Sequence, residues 1–202
     1  MKHLTVGALL SGGAIFAFSC ALGTADAQEK IFELTSTTFK DGQMMPPKVA
    51  NSRANFPQNQ HCVGENVSPQ LSWVNPPAGT KSFAIIMVDL EGRGGGGVNH
   101  WVAYGIPPDV TGFAEGEVSK ESPKYIGGSA TRGVRHYSGP CAPNAQVRHY
   151  TFVIIATDFE PKELPAGLTK EELTAKIVPP DAMPRHDKGT AGIVGLYAKP
   201  SN

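Results

Sequence analysis

The stretch that decides the fold is SFAIIMVDLEGRGGGGVNHWVAYGIP, residues 82–107. Residues 82–88 are almost all apolar, as in a strand buried on both faces, and a second apolar run begins at His100. If the two runs pair as a hairpin with a long glycine-rich loop, Asp89 and His100 lie at one end of the sheet, where polar groups can meet ligands. The alternative is that Asp89 only ends a strand and that His100 is a satisfied, half-buried histidine.

A second nearly continuous apolar strand is predicted at residues 148–158. Because successive side chains of a strand point to opposite faces, Arg148 and Tyr150 share one face and His149 lies on the other. Glycine and proline are abundant, with 23 and 17 residues, which fits many turns between strands. The pattern alone therefore predicts a mainly β protein.

One helix is predicted late in the chain, at residues 168–178. Thr169 and Glu172 have the spacing of a capping box, in which each side chain satisfies a free backbone N–H of the first turn. Shorter strands are expected within residues 31–39, 67–73 and 191–197, and loops are expected at residues 49–62 and 179–188.

Residues 1–27 have the features of a secretory signal peptide. A weakly basic start precedes an apolar stretch, and Ala25-Asp26-Ala27 has the small-x-small form of a signal-peptidase site. Cleavage there leaves residues 28–202 as a single domain, expected in the periplasm or outside the cell and without a transmembrane span. Lipidation at Cys20 is the alternative to this cleavage.

The charge balance argues against one group of partners. The chain has 18 basic and 18 acidic residues, and removal of residues 1–27 would take one of each, Lys2 and Asp26. A neutral net charge disfavours non-specific binding to nucleic acid or to an anionic membrane surface. A local charged pocket is compatible with this balance.

Of the three cysteines, Cys62 and Cys141 are left after the predicted cleavage. An even number of cysteines in an exported chain indicates a disulfide. The alternative is two buried free thiols. A bridge would link two loops that both lie next to the motifs described below.

Several signatures of enzymes and of cofactor binding are absent from the sequence. It contains no Gly-x-Ser-x-Gly nucleophile elbow, no P-loop and no dinucleotide fingerprint. It has no pair of histidines at metal-binding spacing. We therefore expect no cofactor, no metal and no enzymatic activity.

The flanking motifs carry a family resemblance. They are NVSPQLSW at 66–73, PAGTKS at 77–82, YSGPC at 137–141 and RHYTF at 148–152, around the hairpin at 82–107. In this order and at this spacing the chain resembles the phosphatidylethanolamine-binding protein family, and within it the bacterial branch often called Raf-kinase-inhibitor-like. The resemblance covers about residues 32–173. It implies a large antiparallel sheet packed on a smaller sheet, with a late helix.

The resemblance also implies a small anion pocket that takes phosphate-containing head groups. The family's paired acidic residues fall on residues 89–91, its first histidine on His100, its Gly-Pro on residues 139–140 and its His-x-Tyr on residues 148–150. Asp89 is expected to orient His100, and backbone amides near Gly139 are expected to bind the anion. The candidate ligand-binding residues are Asp89, Glu91, His100, Gly139, Pro140, Arg148 and Tyr150.

The chain departs from the family pattern at the basic position of this pocket. Arg148 stands where the family has a histidine, and His149 follows it. Strand alternation favours Arg148 as the pocket residue, which would make the pocket permanently cationic. Arg132, Arg135 and His136 lie in a glycine-containing loop, which is either a solvated basic loop or the basic rim of the pocket.

The sequence thus predicts an exported, non-enzymatic protein that binds phosphorylated or carboxylated small ligands, such as phospholipid head groups. A second class is an inhibitor or modulator of a protein partner, either a protease or a kinase. A third class is a hydrolase that uses His100 and Asp89, although no nucleophile is placed beside them.

Overall fold

The computed structural model describes residues 1, 30–52, 62–143, 145–180 and 183–200. Apart from Met1, the expected signal peptide, with its alternative lipidation site Cys20, lies outside these residues. The described residues form nine β-strands and one α-helix. The strands are β1 (Glu33–Thr35), β2 (Gln43–Met44), β3 (Leu71–Val74), β4 (Ser82–Asp89), β5 (Val98–Ile106), β6 (Gly112–Phe113), β7 (Ile126–Gly127), β8 (Arg148–Thr157) and β9 (Asp187–Tyr197), and the helix is α1 (Lys170–Ile177).

The strands form two sheets. The large sheet has the strand order β2-β9-β8-β4-β5-β7, and the small sheet has the order β1-β3-β6. This confirms the predicted architecture of a large sheet with a smaller one. The predicted hairpin of β4 and β5 is also present, and β4 pairs on its other side with β8.

Two details of the large sheet differ from the sequence prediction. The sheet is not antiparallel throughout, because the short edge strand β2 runs parallel to β9. In addition, β9 begins at Asp187, inside the stretch predicted as a loop, because its polar first residues continue the pairing with the end of β8.

The main core lies between the two sheets. Trp73 of the small sheet packs edge-on against Phe83 and Phe113, with ring centroids 5.6 Å apart in each case. This core continues along the inner face of the large sheet to Tyr150. It therefore brings the buried face of β8 up to the loops at one end of the sheet.

Helix α1 covers the opposite face of the large sheet. The predicted capping box is present: Glu172 N–H donates to Thr169 Oγ1 at 3.2 Å, and Thr169 N–H donates to Glu172 Oε2 at 2.9 Å. Leu173 and Ile177 are buried against the sheet, which fixes the helix across the outer face.

Candidate functional site

The site begins at an irregularity in β5. Met87 pairs with Trp101 and Val88 pairs with Asn99, so His100 is an extra residue in β5. Such a β-bulge interrupts the alternation of side chains and re-aims one of them. His100 consequently shares the inner side of the sheet with its neighbour Trp101, and its ring contacts Tyr150 edge-on with centroids 5.2 Å apart.

His100 is buried and held by the backbone of residues 138–139. Its Nδ1 lies 2.7 Å from the Ser138 carbonyl oxygen, which can only accept, so Nδ1–H is the donor. The Ser138 carbonyl therefore orients the ring, and the prediction that Asp89 does so is wrong. Burial lowers the pKa of His100, although the Ser138 carbonyl and the charge of Asp89 act in the other direction. Nε2 is the ring nitrogen that does not contact Ser138.

Asp89 has other partners. Its Oδ1 accepts from the backbone N–H groups of Glu91 at 2.9 Å and Gly92 at 3.0 Å, and its Oδ2 lies 3.0 Å from Arg148 Nη1. The Asp89 side chain is 2% exposed, so this is a carboxylate buried at the end of β4. It shapes the start of the glycine-rich loop and holds the guanidinium of Arg148.

The structure separates Arg148 from His149, as strand alternation predicts. The Arg148 side chain is 20% exposed and pairs with Asp89, whereas the His149 side chain is 59% exposed. Glu91 lies beside His149: the Glu91 carboxylate accepts from His149 N–H at 2.8 Å and lies 3.0 Å from His149 Nδ1. Glu91 is thus engaged by the exposed histidine and forms no acidic wall with Asp89.

Tyr150 is the aromatic wall behind His100. It is 1% exposed, and burial raises its pKa well above the ordinary value, with the charge of Asp89 adding to the effect. Its hydroxyl is therefore a neutral group at physiological pH. This keeps Tyr150 as a possible donor without adding charge.

Of the backbone amides near Gly139 that are predicted to bind the anion, the N–H of Gly139 itself is already occupied. It donates to Asn66 Oδ1 at 2.9 Å. A Cβ at position 139 would lie 2.0 Å from the Val49 carbonyl oxygen, so glycine is needed here for close packing of two backbones. The Pro140 carbonyl accepts from Asn51 N–H at 2.8 Å and so joins the same two segments. Gly139 and Pro140 therefore support the site through backbone packing and hydrogen bonds.

Sequence reasoning missed a buried amide network beneath the pocket. Asn51 Nδ2 donates to Asn66 Oδ1 at 3.1 Å and to Ser138 Oγ at 3.0 Å, and Asn66 Nδ2 donates to the Tyr137 carbonyl at 3.2 Å. Asn66 adopts φ 59°, a left-handed conformation that asparagine tolerates better than most residues. Asn66 stands in a recognised motif, but nothing in the local pattern marks Asn51.

A small pocket lies beside His100, and Asn51 and Ser138 of this network line it. It has about 10 Å³ for the centre of a water molecule, which is room for one water-sized group. Asp89, Arg148 and Tyr150 are not among its lining residues and are joined to it through the contact of Tyr150 with His100. The lining consists of Asn51, Val98, Asn99, His100, Ala130, Arg132, Val134, Ser138, Gly139 and Cys141.

The predicted disulfide is confirmed. Cys62 and Cys141 form a bridge across a sequence separation of 79 residues. Since Cys141 also lines the pocket, the bridge fixes one wall of it. The bridge holds the segment before Asn66 next to the segment that carries Ser138 and Gly139.

Within the part of the chain that the structure describes, no group of three or more histidine, cysteine, aspartate or glutamate side chains is arranged to hold a metal ion. Over the same residues, no helix has the length and apolar character needed to cross a membrane.

Comparison with known proteins identifies the family. The family model for phosphatidylethanolamine-binding proteins matches residues 35–186. A UPF0098 protein of Methanothermobacter thermautotrophicus is 34% identical over 151 residues, which make up 74% of this chain and 94% of that protein. The chain therefore belongs to the phosphatidylethanolamine-binding protein family, as its motifs indicate.

Two solved structures share its fold. A phosphatidylethanolamine-binding protein homologue from Chlamydia trachomatis aligns with a TM-score of 0.66 at 31% identity, over 84% of this chain and 98% of that one. Escherichia coli YbcL, itself a member of the family, aligns with a TM-score of 0.71 at 26% identity, over 83% and 98% of the two chains. Both matches agree with the mainly β architecture, and YbcL places this chain near the bacterial branch predicted from the motifs.

Proposed function

We propose that this protein is a non-enzymatic binding protein that takes a small anionic group, a phosphate or a carboxylate, in the pocket beside His100. The observation that carries the proposal is a buried histidine whose Nδ1 is bound to the Ser138 carbonyl while the ring lines a pocket. An anion at Nε2 would favour the protonated ring, which can then donate from both nitrogens.

The surroundings of His100 support an anion more than a cation. The carboxylate of Asp89 is occupied by two backbone amides and by Arg148, and Glu91 is engaged by His149. The carboxylates near the pocket thus already accept hydrogen bonds from protein donors. We assign the ligand to the side of the His100 ring that lines the pocket. Asp89, Arg148 and Tyr150 then support the ring from outside the pocket.

The place of action is part of the proposal. Ala25-Asp26-Ala27 after an apolar stretch supports export, and the disulfide fits an oxidising compartment. Membership in a family named for phosphatidylethanolamine binding supports a phospholipid head group as one source of the anion. A free phosphorylated or carboxylated metabolite offers the same chemistry.

Titration calorimetry with inorganic phosphate and with phosphoethanolamine tests the proposal. We expect wild-type binding and a loss of about 10- to 150-fold in His100→Gln, the range for one hydrogen bond to a charged group. The matched control is His149→Gln, which removes an exposed histidine on the opposite face and should leave the affinity unchanged. Equal losses in both variants would count against a pocket at His100.

Native mass spectrometry of the protein purified from its own host distinguishes the other two classes. A retained small anion supports the proposal, and one stoichiometric protein partner would support an inhibitor or modulator instead. Turnover of a panel of esters that disappears with His100→Gln would support a hydrolase.

A further inference from the structure

The loop that carries Arg132 is a compact turn. Gly133 N–H donates to the Ala130 carbonyl at 2.8 Å, and Ala130 N–H donates to the Val134 carbonyl at 3.2 Å. Gly133 has φ 73°, a left-handed conformation in which glycine avoids the strain of other residues. Residues 130–134 therefore hold a defined shape, with Thr131 and Arg132 at the tip.

This turn is bound to the strand that carries His100. Thr131 N–H donates to the Asn99 carbonyl at 3.0 Å, and Asn99 N–H donates to Thr131 Oγ1 at 2.8 Å. The residue before Arg132 is thus joined by two hydrogen bonds to the residue before His100. Gly128 N–H also donates to the Val102 carbonyl at 2.8 Å, which fixes the beginning of the same loop to β5.

Arg132 and His100 face one pocket. Both residues line it, and the positive charge of Arg132 is near enough to lower the pKa of His100. Arg148, in contrast, does not line this pocket. Of the two arginines near His100, Arg132 is therefore the one placed at the pocket mouth.

We propose that Arg132 is the cationic residue that contacts the bound anion, and that the turn 130–134, fixed to Asn99, sets the position of its guanidinium opposite His100. This inference rests on the proposed function and names the residue that determines the affinity of the protein for the anion. An arginine fork can donate two parallel hydrogen bonds to a phosphate or a carboxylate, which lysine cannot reproduce.

The small size of the pocket fits this division of roles. Only one water-sized group can enter beside His100 in this conformation. One oxygen of the anion would occupy that space, and the other oxygens would stay at the mouth within reach of Arg132. The shared chemistry of the ligands is thus a terminal group with at least two anionic oxygens.

Calorimetry with inorganic phosphate tests the inference. We expect Arg132→Gln to weaken phosphate binding by about 10- to 150-fold and Arg132→Lys to weaken it less. The matched control is Arg135→Gln, which removes the same charge from an exposed residue of the same segment that does not line the pocket. It should bind phosphate like the wild type, so long-range charge would be excluded as the cause.

A double-mutant cycle tests the role of the turn. Thr131→Val removes the Oγ1 acceptor of Asn99 N–H with little change of shape, and we expect it to weaken phosphate binding about two- to tenfold when Arg132 is present. In the Arg132→Gln background it should have no further effect, because the coupling passes through Arg132. Equal effects in both backgrounds would overturn the assigned role of the turn.

The outcomes separate the inference from the function on which it rests. Phosphate binding that is lost in His100→Gln but unchanged in Arg132→Gln overturns the inference and leaves the anion pocket standing. Equal losses in Arg132→Gln and Arg135→Gln also overturn it. A wild-type protein that binds neither phosphate, acetate nor phosphoethanolamine overturns both.

Discussion

At the scale of single residues, the protonation of His100 is set by the fold. The ring is buried, and its pKa is lowered because the charged form loses solvation. A histidine of this kind is neutral in the free protein near pH 7. A negative group bound at the other ring nitrogen would stabilise the protonated form of the ring.

We expect His100 to make the protein less stable in mild acid. Below the ordinary histidine pKa of 6.5 the unfolded chain takes up a proton at this residue, while the folded protein does so only at lower pH. Stability contributed by this residue is therefore unchanged above pH 6.5 and falls as the pH decreases from there towards the folded-state pKa. Urea unfolding at pH 7.5 and 5.5 measures this.

The His100→Gln variant isolates that contribution from the other titrating groups. The decrease in unfolding free energy between the two pH values should be smaller in the variant than in the wild type. Saturating phosphate should also reduce the decrease in the wild type, since a bound anion stabilises the protonated ring. Identical pH dependence in both proteins would show that the His100 pKa is not lowered by folding.

At the scale of elements, two side-chain pairs on opposite faces join the start of β8 to the end of β4 and to the loop that follows it. Asp89–Arg148 lies on the inner face and is largely buried, and Glu91–His149 lies on the outer face and is exposed. Pairs of these two kinds differ in energy, because removal of one buried partner leaves an uncompensated charge.

We expect Arg148→Gln to act mainly on stability. It leaves the Asp89 carboxylate, 2% exposed, without its cation, and should cost about 2 kcal/mol of unfolding free energy, between the ranges for exposed and fully buried pairs. His149→Gln is the matched control and should change stability by less than about 0.5 kcal/mol. Chemical denaturation of both variants at pH 7.5 provides the comparison, and equal effects would contradict the difference in burial.

The same elements show what could be predicted from the sequence. A period of two assigned Arg148 and His149 to opposite faces, because alternation is a local property of any strand. The bulge at His100 could not be predicted, because it depends on the register between β4 and β5. The occupied amide of Gly139 was hidden for a similar reason: its partner, Asn66, is 73 residues away in the chain.

At the scale of the whole molecule, the disulfide connects distant parts of the chain around the pocket. Cys62 and Cys141 are 79 residues apart, and the segment between them includes β3 to β7. In the chain-entropy model a bridge across such a loop stabilises the folded state by about 4.5 kcal/mol. The bridge therefore affects global stability as well as the wall of the pocket.

We expect the double variant Cys62→Ser, Cys141→Ser to unfold at a lower denaturant concentration than the wild type, by an amount up to this value. Phosphate affinity should also decrease, because Cys141 lines the pocket. The control is the wild type treated with reductant, which should match the variant. If the free energy of unfolding were unchanged in both samples, the bridge would not stabilise the protein by restricting the unfolded chain.

The bulge at His100 also separates inheritance of the fold from inheritance of the site. Without His100, Asn99 and Trp101 would be neighbours opposite Val88 and Met87, which are neighbours in β4, so this end of the ladder would be regular. A one-codon deletion could thus remove the pocket histidine while every remaining strand pair keeps its partner. Descendants of such a gene would retain the two sheets and lose the binding chemistry, so recognition of the fold alone would misassign them.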